Sequence, residues 1–174
     1  MRKKRDVEVR VCRHRSSGVL LLDPMVWHRG GVACTVGDAV EVRAGSLVAL
    51  GEALERLLDE ASAKDVDALD ADYERRREAY RAGGELEPRP LGPTRRRLLE
   101  KYPALARGPG RALRAFEIAG LLQRPGTASR RLTRVVRAPH RGTETNGDAI
   151  RLSRDLSVHA LGEAVARFLD EAPS

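Results

Sequence analysis

Two segments of the 174-residue chain are nearly identical, and this internal repeat limits the possible folds more than any other feature. SLVALGEALERLLDEA at residues 46–61 aligns without a gap to SVHALGEAVARFLDEA at residues 157–172, with 11 of 16 positions identical. In both segments apolar residues recur at helical spacing, and a serine stands where a helix would be capped. A short strand-like stretch precedes each segment. The repeat, residues 39–61 and 149–172, therefore predicts two related strand–helix units that dock alike.

Gly51 and Gly162 occupy equivalent positions in the two predicted helices. A glycine inside a helix costs about 1 kcal/mol relative to alanine, because it loses more backbone entropy on folding. We expect this cost to be offset by the close approach of another backbone, that of a strand.

Alternation of apolar and polar residues predicts the remaining elements. Strands are expected at residues 6–12, 19–22, 39–43, 118–123, 131–137 and 149–153, and Asn146-Gly147 predicts a tight turn. Charged helices are expected at residues 65–82 and 94–102, with a proline- and glycine-rich connection at residues 83–93. The sequence thus predicts a single domain of residues 1–174 with an α+β or α/β fold. Its sheet should be mainly antiparallel or mixed, with charged helices inserted between the two units.

The net charge of +7 hides two blocks of opposite sign. Residues 23–72 carry 4 basic and 11 acidic side chains, and residues 73–141 carry 18 basic and 6 acidic ones. The acidic candidates for binding a basic protein are Glu52, Glu55, Asp59, Glu60, Asp65, Asp67, Asp70 and Asp72. The basic candidates for binding a phosphate backbone are Arg95, Arg96, Arg97, Arg130, Arg131, Arg134 and Arg137. The arginine block can equally be a charged surface, and for the acidic run a solvated helix face is the more common explanation.

The cysteines and histidines are the candidates for a metal site and for acid–base chemistry. Cys12, His14, His28 and Cys34 include the ligand types of a zinc site, but their spacing matches no familiar motif. The histidines, with His140, His159 and nearby arginines, could serve RNA cleavage. We predict no metal and no cofactor. Two cysteines are too few for a disulfide framework, and no apolar run is long enough to span a membrane, so a cytoplasmic protein is expected.

The last third of the chain carries a more specific pattern. A strand is followed by a basic strand ending in Ala138-Pro139-His140-Arg141, a turn, a short strand and a terminal helix containing LGEAV at residues 161–165. This pattern, over about 60 residues at 116–172, resembles the contact-dependent growth inhibition immunity protein family of bacteria. Residues 65–111 lie outside the resemblance.

The resemblance implies a small α/β protein that binds the toxic C-terminal domain of a delivered effector and blocks its active site. It implies no catalytic residues, and it identifies no contact residue by position. The leading hypothesis is therefore a non-enzymatic immunity protein whose partner is a cognate toxin domain, with the acidic residues as the expected contact surface. The alternative is a nucleic-acid-binding or RNA-cleaving protein that uses the arginine-rich surface.

Overall fold

A single antiparallel sheet organises the chain. The computed structural model describes residues 5–28, 31, 33–43, 45–84, 92–105, 109–137 and 144–171, and within them the sheet has seven strands. The strands are β1 (Val7–His14), β2 (Leu20–Trp27), β3 (Ala33–Thr35), β4 (Val40–Val42), β5 (Phe116–Gln123), β6 (Ser129–Arg137) and β7 (Glu144–Ser153). The helices are α1 (Leu47–Ser62), α2 (Val66–Arg81), α3 (Pro93–Lys101), α4 (Pro109–Ala115) and α5 (Val158–Asp170). The predicted α+β fold is confirmed.

The strand order is β3-β2-β1-β5-β6-β7, and β4 pairs with the other end of β2. Strand β2 does not end at Leu22, as the sequence suggested, but continues through Pro24 to Trp27. The carbonyl of Pro24 accepts a hydrogen bond from Val36 N at 2.9 Å, between the stretches of β2 that pair with β4 and with β3. A proline is tolerated there because its missing N–H falls where the ladder is already interrupted.

The two strand–helix units predicted from the repeat are present, and the similarity extends beyond the repeated segments. Strands β1, β2 and β3–β4 with α1 correspond in order and pairing to β5, β6 and β7 with α5. The register agrees as well: Leu20 lies opposite Val42 in the first unit, and the equivalent residues Arg130 and Leu152 lie opposite each other in the second. The units join at the centre of the sheet, where β1 pairs with β5.

The expectation that a strand approaches Gly51 and Gly162 is wrong: the two helices approach each other. A Cβ added at Gly51 would overlap the carbonyl of Val158, and one added at Gly162 would overlap the carbonyl of Leu47. Leu47 and Val158 are themselves equivalent positions of the repeat. The contact is therefore reciprocal, and each glycine admits the first turn of the other helix.

Helices α1 and α5 cover one face of the sheet, which we call the inner face. Its core joins strand residues such as Val9 and Leu121 to helix residues such as Leu50 and Leu161, all at most 1% exposed. A smaller core lies on the outer face, where α3 and α4 place Leu98, Tyr102 and Ala112 against Phe116 and Ile118 of β5.

The N-terminus of α3 is held by a residue distant in sequence. The carboxylate of Asp38 accepts hydrogen bonds from Thr94 N at 2.8 Å and Arg95 N at 2.9 Å. A Cβ on Gly92, which precedes α3, would overlap that carboxylate. Asp38 therefore supplies the cap that α3 lacks in its own sequence.

Three other expectations are changed or left open. Asn146-Gly147 does not form a tight turn but lies within β7, where the register with β6 shifts between Thr133 and Val135. The short strand β3 was not predicted. Of the predicted connection at 83–93, residues 85–91 lie outside the described part of the chain. Among the described helices, none combines the length and the apolar character needed to cross a membrane.

Candidate functional site

Five of the eight acidic candidates have partners within the protein. Glu55 contacts the guanidinium of Arg130 with both carboxylate oxygens, one of them at 2.7 Å. Asp70 binds His28 Nδ1 at 2.8 Å and Arg5 at 2.7 Å. Asp65 caps α2 by accepting from Ala68 N, and Asp72 pairs with two arginines of its own helix. Glu60 pairs with Arg56 of its own helix at 3.9 Å. The exposed remainder consists of Glu52, Asp59 and Asp67.

The pKa of Asp70 shows that its partners outweigh its partial burial. Burial alone would raise the pKa of this carboxyl group, but the hydrogen bond from His28 and the charge of Arg5 lower it below its ordinary value of 3.8. The ring of His28 also stacks on Tyr73 of α2, with 4.9 Å between ring centroids. This cluster joins α2 to the end of β2 and is part of the fold.

The arginine candidates divide into two groups. Arg130 and Arg134 point to the inner face and are only 4% and 5% exposed. Arg130 bonds Gln123 as well as Glu55, and Arg134 donates to the carbonyls of Phe168 and Glu171 at the end of α5. These two arginines are therefore not available to a nucleic acid.

The other arginine candidates have different surroundings. Arg95 pairs with Asp23, while Arg96 and Arg97 are exposed on α3. Arg131 is exposed on the outer face of β6, and Arg137 ends that strand, with its side chain outside the described part. The arginine-rich sequence block is thus not one continuous surface.

A large part of the outer face has no described helix packed over it, and we call this part the open face. Helices α3 and α4 cover only the end of the sheet around Ile118. A cavity of about 380 Å³ lies over the uncovered region. The open face comprises Asp6, Glu8, Arg10, Trp27, Leu122, Arg124, Arg131, Thr133 and Arg151.

The strand register arranges the open face in rows. Glu8 lies opposite Leu122, Leu122 opposite Arg131, and Arg131 opposite Arg151. In the neighbouring row, Arg10 lies opposite Gly120. From β2 to β7 the face crosses four strand spacings, about 19 Å. The acidic groups lie on the β1 side, and Arg131 and Arg151 lie on the β6–β7 side.

Glu8 is a charged residue in the middle of this face and only 8% exposed. Its carboxylate accepts a hydrogen bond from the indole Nε1 of Trp27 at 2.9 Å. Gly120, on the adjacent strand, leaves the space that the carboxylate fills, since a Cβ there would overlap it. Trp27, which is half-buried, is thereby fixed at the rim of the cavity.

Unlike the buried Glu8, Arg131 and Arg151 are both exposed. They lie directly across from each other on the neighbouring strands β6 and β7. Like charges at opposed positions destabilise a sheet. Within the described residues, neither guanidinium forms an ion pair. Sequence reasoning included Arg131 but missed Trp27, Glu8 and Arg151; the alternation along β1 and β7 would have placed Glu8 and Arg151 on the polar face.

The zinc and RNA-cleavage candidates are not brought into one site. His14 lies between the rings of Tyr102 and Phe116, and His28 lies against Tyr73. Cys12 is buried in the outer core and Cys34 lies in β3. His159 is exposed on α5, and His140 falls outside the described part of the chain. In the described ranges, no three His, Cys, Asp or Glu side chains are grouped to hold a metal ion.

Comparison with known proteins adds no relative. Neither a protein-family model, nor a curated protein, nor a solved structure matches the chain. The functional argument therefore depends on the chain's own geometry, and the open face is a sheet surface on which that geometry leaves an aromatic side chain and charged groups beside a cavity.

Proposed function

We propose that this protein is a non-enzymatic immunity protein, which acts in the cytoplasm by binding the toxic C-terminal domain of a contact-dependent growth inhibition effector. The observation that carries the proposal is the open face: a rigid surface of five strands, left bare by the described helices, that presents Trp27 and several arginines. Tryptophan and arginine are the side chains most enriched at the energetic centres of protein interfaces. The family resemblance of the last third supports the same function.

The mechanism would be occlusion. The toxin domain would dock on the open face, with apolar contacts around Leu122 and Trp27 slowing its release and the charged groups raising the encounter rate. With a width of about 19 Å and a length of about five residues, roughly 16 Å, the open face covers about 300 Å², less than the roughly 800 Å² that each partner buries in a typical stable complex. The contact would therefore extend to neighbouring elements, such as the exposed side of α3. Inhibition would follow from blocked access to the toxin's active site, with no chemical change in either protein.

The test uses the C-terminal domain of a large secreted effector encoded beside this protein. We expect the two purified proteins to elute together as a stoichiometric complex in size-exclusion chromatography. We also expect co-expression of this protein to restore growth of cells that produce the toxin domain. Absence of a complex at micromolar concentrations, together with continued toxicity, would refute the immunity function.

A nucleic-acid-binding function is the second candidate, because Arg131 and Arg151 are exposed and have no ion-pair partner among the described residues. It requires binding of single-stranded RNA whose affinity falls steeply with salt. Replacing both arginines by alanine should then flatten the slope of log K against log salt by about 1.4, since each phosphate contact to a single strand contributes about 0.7. RNA binding that is weak and insensitive to these substitutions excludes this candidate.

A further inference from the structure

The opposed pair Arg131 and Arg151 provides a more specific inference about the partner, which rests on the proposed function. The strand β6 alternates between two kinds of arginine. Arg130 and Arg134 face inward, where each donates hydrogen bonds, whereas Arg131, between them, faces outward beside Arg151 of β7. Side chains opposed in this way have Cβ atoms about 5 Å apart, so the two positive charges repel.

Among the described residues of the open face, no acidic group pairs with Arg131 or Arg151 to compensate this repulsion. Glu8 lies in the same row, but two strands from Arg131, about 10 Å away, and its carboxylate is bonded to Trp27. Arg124 is a third positive charge beside the cavity, and Asp6 already pairs with it at 3.3 Å. The β6–β7 end of the open face therefore has a local positive field that an anionic group would relieve.

The anionic group is better supplied by a protein than by a nucleic acid. A phosphate backbone that crossed the face toward β1 would meet the carboxylates of Glu8 and Asp6. Bases need exposed aromatic rings on which to stack. Trp27, the chain's single tryptophan, is held against Glu8 on the acidic side. A protein surface can present a carboxylate to the arginines and cationic or apolar groups to the rest of the face.

We infer that Arg131 and Arg151 together bind a carboxylate-bearing segment of the toxin domain, so that the partner is acidic where it contacts β6 and β7. Two guanidinium groups can each donate to one carboxylate, which converts the repulsion between them into a shared attraction. This assignment differs from the acidic contact surface that the sequence suggested. In the assignment made here, positively charged residues of this protein contact negatively charged residues of the toxin.

The test is isothermal titration with the purified toxin domain. The double reversal Arg131→Glu/Arg151→Glu should lower the affinity by about 30-fold or more, the loss typical of a broken interfacial charge pair. The control Arg56→Glu/Arg167→Glu makes the same change in net charge at equivalent exposed positions of α1 and α5, on the inner side of the sheet. It should change the affinity by no more than about threefold.

Reversing the charge of one arginine alone distinguishes an effect on toxin binding from an effect on folding. Arg131→Glu replaces a repulsive pair by an attractive one, so it should raise the thermal midpoint while it weakens toxin binding. Tight wild-type binding that the double reversal leaves unchanged, or that the control weakens equally, would overturn this inference and leave the immunity function intact. No wild-type binding would overturn both. A 20-nucleotide single-stranded RNA that binds through Arg131 and Arg151 in place of the toxin would also overturn it.

Discussion

At the scale of single residues, Asp38 shows how one carboxylate can decide whether an inserted helix docks. Its side chain accepts hydrogen bonds from Thr94 N and Arg95 N at the N-terminus of α3, where the N-cap residue Gly92 has no side chain to do so. Burial by itself would raise the pKa of Asp38, but the hydrogen bonds from the backbone of Arg95 and Thr94 lower it below 3.8. A lowered pKa means that its contribution is present above pH 3.8 and is lost as the pH falls through the folded-state value.

We predict that Asp38→Ala destabilises the protein by about 1–2 kcal/mol at pH 7, the usual cost of a lost helix cap. Asp38→Asn retains one acceptor oxygen, so it should destabilise the protein less than Asp38→Ala does. Urea unfolding at pH 7 measures both differences. Repeated at progressively lower pH, the same measurement should show the wild type converging on Asp38→Ala. Equal stability of the two proteins at pH 7 would mean that α3 docks without this cap.

The reciprocal glycines make a second prediction at this scale. Replacing an exposed helical glycine by alanine would raise the free energy of unfolding by about 1 kcal/mol. At Gly51 and Gly162 the added methyl group would overlap a carbonyl of the partner helix. The helices would have to move apart, so we expect Gly51→Ala and Gly162→Ala each to lower the free energy of unfolding by about 3 kcal/mol or more. Glu52→Ala and Glu163→Ala, at the adjacent exposed positions, are the matched controls, and thermal unfolding is the measurement.

At the scale of elements, the strands and helices that have one apolar face were predictable, and those fixed by distant partners were not. The stripe of α1 and the alternation of β1 are visible in sequence because burial alone produces them. Strand β3 has three half-buried residues and no such signal. In β6, arginines occur on both faces, and only Leu132 marks which face is inner. The inward role of Arg134 depends on the end of α5, 34 residues later.

Helix α2 is the element whose attachment depends most on charge, because none of its residues is fully buried. We predict that Asp70→Asn weakens its docking by about 1–2 kcal/mol at pH 7, since it removes a charged acceptor from His28 and Arg5. The lowered pKa of Asp70 means that this difference persists down to about pH 4 and shrinks below 3.8. Hydrogen exchange of the α2 amides, compared between the wild type and Asp70→Asn, measures this difference in docking free energy. Asp72→Asn is the control, because the two ion pairs described for Asp72, with Arg75 and Arg76, lie within α2.

At the scale of the whole molecule, the repeat explains why the two halves form one structure. They share the ladder between β1 and β5, and α1 and α5 meet at the two glycines. Each half therefore completes the core of the other, whereas the gapless repeat predicted only that the two helices dock alike on a shared sheet. The sequence could not show that the helices α2, α3 and α4 would leave the open face bare, because that depends on where the inserted segment docks.

This shared core predicts that the halves unfold together. Leu50→Ala in α1 and Leu161→Ala in α5 are equivalent truncations of fully buried side chains, and each should cost about 2–5 kcal/mol. For a chain of this size, that lowers the melting temperature by roughly 5–15 °C. Trp27 is the only tryptophan and lies in the first half, so its fluorescence reports that half alone. With Leu161→Ala, the fluorescence transition should shift as far as the circular dichroism transition. A fluorescence transition that stays at the wild-type temperature would show that the first half holds its fold without the second.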